Sequence, residues 1–395
     1  MTGLFLQSLA SGPDARAPGR AARKATAVAE RPALFVGSDV YRASAFGRHH
    51  PLSIIRVAGV MDLCQMLGWF EGEQFRDSPR ANNQALLAFH RPDYVNAVRQ
   101  ADATGKVTPE QRDRYRIGTM ENPLFPGLFK RASTAVGGSI LAAELAMQQR
   151  TVFHPSGGTH HGRPGRASGF CYFNDPVFAI LTFLAGGLER VLYVDLDAHH
   201  GDGVQDAFAD DPRVLTVSIH EEKRWPHSGL VTDRAAGAAR NLPVPRGFND
   251  SELHFLMDKA VLPLAECFDA QALVVTCGAD SLEGDPLSRL ALSNLGLWRA
   301  VEKLVAGHPC SVVLGGGGYN PWTVVRCWSG LWGRLSGREL PERLSPQAVA
   351  LLRSFQCELV DEEDVPEGWM TTLADPPNDG PVRAQVERLP RLVLN

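Results

Sequence analysis

The chain of 395 residues lacks an excess of charge of either sign: 40 Lys and Arg stand against 44 Asp and Glu, a formal net charge of -4. That balance rules out a strongly basic nucleic-acid binder and argues against a polybasic membrane anchor. It also lacks any apolar run of the roughly 18 residues that a membrane-spanning helix needs. The seven cysteines form no CxxC pair and are scattered from Cys64 to Cys357. Neither a disulfide framework nor a cysteine zinc knot is expected, and a reducing, cytoplasmic setting suits them. The N-terminus has no charged segment leading into an apolar core and a small-residue cleavage site, so secretion is not expected. Residues 1–30 are rich in Ala, Arg, Gly and Ser without apolar periodicity, and we expect a mobile tail there.

What is present is an alternation of short apolar runs and longer amphipathic stretches. The runs Ala33–Val36, Thr151–Phe153, Val191–Val194, Val214–Val217, Leu273–Thr276 and Val312–Leu314 read as buried strands. Stretches Thr134–Gln149, Pro176–Ala185, Glu252–Phe268 and Leu295–Ala306 between them read as helices. Continuously apolar strands alternating with helices predict an α/β fold, one domain with a parallel sheet covered on both faces. We place that domain at residues 31–340, with 341–395 as a C-terminal wrap or tail of the same domain.

Polar residues cluster just after the strands. Gly157–His161 follows one, Asp195–Asp202 another, Ser218–His220 a third, Cys277–Asp280 a fourth, and Gly315–Tyr319 a fifth. Ligands of open α/β sheets bind outside the carboxyl ends of the strands, so these five segments are expected to converge. In an extended Asp195-Leu196-Asp197-Ala198-His199 segment, residues two apart project to one side. Asp197 and His199 could therefore grip one cation, and Asp280 could add a third ligand. Two carboxylates and an imidazole leave a fourth position open, as in a catalytic zinc site. The bland alternative, helix caps or solvated acids, fits poorly with so many polar groups in so few residues.

His160 and His161 follow a Gly-Gly turn and are candidates for proton transfer. Each needs an orienting partner; we pair His160 with Asp195 and His161 with Asp202. The four glycines before Tyr319 match neither a dinucleotide fingerprint nor a phosphate loop. Tyr319 reads either as a donor to a developing oxyanion or as a packed tyrosine bonded to backbone. Phe170 and Trp225 read either as walls of an apolar channel or as core, and Arg56 as the start of a helical stretch.

These segments, together with Gly169-Phe170-Cys171-Tyr172-Phe173-Asn174-Asp175 and Arg326-Cys327-Trp328, resemble the zinc-dependent histone deacetylases, in particular their bacterial and acetoin-utilisation-like members. The resemblance covers about residues 33–335, in the family's order. It implies the arginase–deacetylase fold and one Zn2+ on Asp197, His199 and Asp280. It implies that His160 and His161 are the acid/base pair, supported by Asp195 and Asp202, and that Tyr319 is the oxyanion donor. The substrate channel would comprise Phe170, Trp225, Leu287, Gly169, Gly317 and Gly318, and Arg56 would belong to an internal exit channel for acetate. A K+ ion would use the Asp195 and Ser218 side chains with backbone oxygens of Asp197, His199 and Ile219. The implied reaction is hydrolysis of an N-acetylated amine, acetyl-lysine in protein or a small acetylated amine or polyamine. No nucleic-acid or membrane partner is implied, and a homo-oligomer is left open. Two rivals stand beside this reading: an arginase-like dinuclear metal hydrolase, and a catalytically silent binder of acylated ligands. The basic run Gly162–Arg166 is expected at the rim, where it would favour acidic substrates.

Overall fold

Eight short strands line up side by side in a computed structural model that describes residues 31–43, 46–47 and 49–394. The strands are β1 (Leu34–Gly37), β2 (Phe75–Asp77), β3 (Thr151–His154), β4 (Val191–Asp195), β5 (Val214–Glu221), β6 (Ala239–Val244), β7 (Ala272–Thr276) and β8 (Ser311–Leu314). They form one sheet in the order β2-β1-β3-β8-β7-β4-β5-β6. Every neighbouring pair is parallel. The expected tail at residues 1–30 lies outside the described residues.

Both faces of the sheet are covered, and the alternation of side chains along each strand explains how. Leu192 and Val194 of β4 and Leu273 and Val275 of β7 point into one core, shared with Trp298, Trp328 and Trp332. Val191 and Tyr193, with Ala272 and Val274, point into the other, against the helices Leu128–Ala146 and Asp175–Ala185. The helix at Leu128 begins six residues before the predicted start at Thr134. Its first turn is fixed from outside, by Asp102 accepting from the backbone nitrogens of Gly127, Leu128 and Phe129.

Two strands have no counterpart among the apolar runs of the sequence, and both are sheet edges. β2 is three residues, Phe-Arg-Asp, and β6 contains Arg240, Asn241 and Pro243. An edge strand tolerates Pro and charge because one side of its backbone has no strand partner. The C-terminal segment packs back on this edge of the molecule. Val386, Leu389 and Val393 join the first core, and Arg240 Nε donates to the Val393 carbonyl at 3.0 Å.

Register brings the site together. Asp195 at the end of β4 lies opposite Ser218 of β5 and Thr276 of β7, and Thr276 lies opposite Leu314 of β8. The loops that leave these four strands therefore start at one level.

Candidate active site

Asp195 is the deepest member. Its Oδ2 takes His160 Nδ1 at 2.7 Å and the Tyr193 hydroxyl at 2.6 Å. Its Oδ1 accepts from Asp197 N at 3.1 Å, which turns the chain toward the next carboxylate. His161 Nδ1 meets Asp202 Oδ1 at 2.7 Å. The structure thus brings together both histidine–aspartate pairs expected from the sequence. Asp202 is held from its other side by the Arg163 guanidinium, which also pairs with Asp206. The rim charge expected from residues 162–166 is accordingly diminished, because Arg163 is engaged below the site.

Asp197, His199 and Asp280 are buried, and each offers a ligand atom within 4.8 Å of the others. Among the described residues this is the one such group of three His, Cys, Asp or Glu. Asp280 Oδ2 lies 2.9 Å from His199 Nδ1, and Asp197 Oδ1 lies 3.3 Å from it. Backbone donors aim the carboxylates: Ala198 N to Asp280 Oδ1 at 3.0 Å, and Gly317 N to Asp197 Oδ2 at 2.6 Å. A Cβ at Gly317 would overlap Asp280 Oδ2, so only glycine lets this loop approach so closely.

The charges show what the trio fits. Burial and the neighbouring Asp197 push Asp280 up to about 6. Asp197 itself goes well below the carboxylate range: burial works against its charge, but His160 and His199 outweigh it. His199 is lifted to about 10, its hydrogen bonds to Asp197 and Asp280 overcoming burial. A buried imidazole held between two buried carboxylates whose charges repel is a site short of positive charge. The donor set suits one divalent cation with an open position.

The two central histidines are driven apart. Burial opposes charge on both, but Asp195 and Asp197 lift His160 to about 9. Burial and the His160 charge bring His161 down to about 3 against the pull of Asp202. Their rings lie 4.0 Å apart. Groups pushed in opposite directions at one place are suited to give and take a proton.

Tyr319 is buried, its ring edge-on to Phe170 at 5.9 Å and to His199 at 6.4 Å. Gly169, Phe170, Trp225 and Leu287 line a cleft of about 340 Å³ that reaches His161, His199 and Tyr319. Trp225 is 37% exposed and packs edge-on to His161 at 4.6 Å, so it is a wall and not core. Gly317 lines a second, inner cavity of about 120 Å³, which also reaches His160, His161, Tyr319 and Arg56. Gly318 is not among the lining residues of either space. It turns with φ 136° between Gly317 and Tyr319. Arg56 is the N-terminal residue of the helix Val57–Met66; it donates to the Gly316 carbonyl and stacks over Trp328 at 5.0 Å. Ser218 Oγ lies 2.9 Å from His220 Nδ1, and Ile219 is buried beside it.

Three participants were not singled out from the sequence. Tyr193 is the second donor to Asp195. Glu121 lies at the mouth, accepting from Gly169 N at 2.5 Å. Asp285 is buried, and its two oxygens take Tyr319 N at 2.7 Å and Leu287 N at 2.8 Å. One carboxylate therefore anchors both the tyrosine turn and a channel wall. Asp285→Asn keeps one acceptor and turns an amide N–H toward the other donor. We expect kcat to fall by about tenfold with the metal retained, as loss of one buried hydrogen bond to a charged group predicts. Unaltered steady-state kinetics would show that the anchor is dispensable.

Below the loop that carries His160 and His161 sits His90. Its Nδ1 lies 3.1 Å from the Arg163 carbonyl, and its Nε2 takes Asn174 N at 3.1 Å. Accepting from Asn174 requires a neutral ring, and burial brings His90 down to about 4. The folded value is depressed below the unfolded 6.5, so the contribution is complete above pH 6.5 and is lost as pH falls toward 4. It amounts to about 3 kcal/mol. Urea midpoints between pH 7 and 4.5 should fall more steeply for the native chain than for His90→Asn; parallel curves would contradict this.

Comparison with known proteins agrees with the geometry. The histone deacetylase domain model matches residues 50–335. The chain belongs to the histone deacetylase family. It is 32% identical over 354 residues to the acetoin utilization protein AcuC of Bacillus subtilis, covering 86% of this chain and 90% of that protein. It is 34% identical over 293 residues to human histone deacetylase 1, covering 72% of this chain and 60% of the human protein. The crystal structure of an HDAC homolog from Aquifex aeolicus superposes with a TM-score of 0.87 at 34% identity, covering 91% of this chain and 99% of that one. An HDAC homolog complexed with SAHA gives the same values. The fold is the arginase–deacetylase fold, and membership in a family of deacetylases makes the chain a hydrolase acting on an acetylated substrate. No helix among the described residues is long and apolar enough to cross a membrane.

Proposed function

We propose that this histone deacetylase family member is a zinc-dependent amidohydrolase that cleaves an N-acetylated amine to the free amine and acetate in the cytoplasm. The observation that carries the proposal is the meeting of a three-ligand group, two His–Asp pairs and a tyrosine at the floor of an apolar-walled cleft. Zinc on Asp197, His199 and Asp280 would polarise the acetyl carbonyl and acidify a water. Phe170, Trp225 and Leu287 hold the apolar arm of the substrate, and Gly169 lets Trp225 close over it. Tyr319 donates a hydrogen bond from its hydroxyl to the carbonyl oxygen as charge grows there.

His160, steadied by Asp195, and His161, steadied by Asp202, exchange the protons that hydrolysis requires. Of the two, His161 lines the outer cleft as well as the inner cavity. The amine leaves outward, so His161 is the better placed to protonate the departing nitrogen. Acetate leaves inward past Arg56. The K+ assignment is supported by the register that sets Asp195 opposite Ser218, with Asp197, His199 and Ile219 supplying backbone oxygens. A dinuclear, arginase-like reading finds no second ligand group among the described residues.

Elemental analysis of the purified chain, combined with acetate release from acetyl-lysine peptides and acetylated polyamines, tests the proposal. One zinc per chain, turnover of at least one such amide and inhibition by a hydroxamate are expected. Two metals per chain, or binding of acetylated ligands without turnover, would replace it by one of the two rivals.

A further inference from the structure

The cleft does not end at its mouth. Its two walls, Trp225 and Leu287, each continue into an arginine, Arg224 directly before Trp225 and Arg289 two residues after Leu287. Arg224 lines both the cleft and an adjoining surface groove of about 700 Å³, which Arg289 also lines. Lys223, Arg246, Glu221 and Glu222 complete the charged lining.

The charges in this groove do not cancel. Glu221 is buried, and both its oxygens are engaged: Arg224 Nη2 at 2.7 Å, Arg224 Nε at 2.9 Å and Arg289 N at 2.8 Å. Glu222 stands 3.9 Å from Lys223 Nζ and accepts from Gln385 at 3.1 Å. Arg246 and Arg289 are exposed and have no carboxylate partner among the described residues. Their backbones are nonetheless fixed. Gly247 N donates to the Arg289 carbonyl at 2.6 Å, and Arg383 Nη1 donates to the Arg246 carbonyl at 2.7 Å. Two guanidinium groups without a carboxylate partner among the described residues thus stand beside the exit of the channel, Arg289 donating from Nη1 to the Ser288 carbonyl at 2.9 Å.

We propose that this groove reads acidic residues flanking the acetylated lysine, so that the substrates are acetyl-lysine segments of proteins in an acidic context and not acetylated polyamines. The inference rests on the deacetylase reading above. A guanidinium matches a carboxylate in shape and charge, whereas the ammonium groups of a polyamine would meet like charge here. Glu121 is the one acid lining the cleft and is tied to Gly169 N, while the adjoining groove sets four basic side chains against two acids.

The experiment uses the full metal-loaded chain and three peptides of one length, each with a central acetyl-lysine flanked by Asp, Ala or Lys, with an acetylated polyamine as fourth substrate. The acid-flanked peptide should exceed the lysine-flanked one roughly tenfold in kcat/KM, through KM, as two exposed charge pairs provide. High salt should narrow the gap. The Arg246→Glu/Arg289→Glu variant should reverse the order, and Arg246→Gln/Arg289→Gln should flatten it. Equal rates for all flanks, a preference that survives charge reversal, or faster turnover of the polyamine overturns the proposal. If none of the four is hydrolysed, the deacetylase reading fails instead. Anisotropy of the same peptides, labelled, then decides whether the groove prefers acid.

Discussion

Asp280→Ala will give a folded protein that holds no divalent ion and loses turnover by more than about a thousandfold, since hydrolysis near neutrality depends on a metal to acidify water. Three ligands are the minimum for a catalytic zinc site, and removing Asp280 leaves one carboxylate and one imidazole. The stability change should run the other way when metal is withheld. Asp280 is fully buried and raised to about 6 by burial and by Asp197. Its folded value lies above its unfolded value, so the fold is most stable below pH 4 with respect to this group and loses stability as pH rises through 6. At pH 7 to 8 the carboxylate therefore costs the metal-free fold on the order of 1–3 kcal/mol. Asp280→Asn, which keeps an acceptor for Ala198 N, should melt higher than the native chain in chelator and lower than it with zinc. A variant that retains one ion per chain would remove Asp280 from the ligand set.

That inversion says why the centre was so legible. Asp197, His199 and Asp280 place two buried carboxylates beside one imidazole, and acids just after apolar strands stand out in a sequence because burying them is costly. The central strands were legible for a related reason: buried on both faces, β3, β4, β5, β7 and β8 each carry a short run that is mostly apolar, with polar residues gathered toward the strand ends. What escaped had no local signature. β6 carries Arg, Asn and Pro because it is an edge, and Glu121 reaches the mouth only through the packing of a distant loop. Asp285 did leave a trace. It is the third acid in Asp280-Ser281-Leu282-Glu283-Gly284-Asp285, five residues past Asp280. Its task, however, is to hold the backbone at Tyr319 and Leu287, and a side chain that serves backbone gives no motif. The same limit applies to the rim. Arg163 looked like surface charge in the chain and is engaged with Asp202 and Asp206 in the fold.

Tyr319→Phe should separate binding from chemistry. The backbone of residue 319 is held by Asp285, and its ring is held edge-on by Phe170 and His199. Neither contact uses the hydroxyl, so the phenyl ring should keep its place and the zinc stoichiometry should not change. Burial, reinforced by Asp280 and Asp197, pushes the phenol well above its ordinary 10, so it remains a donor throughout the working pH range. What the variant loses is one hydrogen bond that strengthens as the carbonyl oxygen becomes an oxyanion. Loss of such a donor costs about a hundred- to a thousandfold in kcat, with little change in KM. Because the phenol does not titrate in this range, the residual activity should keep the pH dependence of the native chain. A large rise in KM with kcat preserved would mean that Tyr319 binds the ground state alone, and unchanged turnover would mean that the oxyanion is met by the metal without help from the protein.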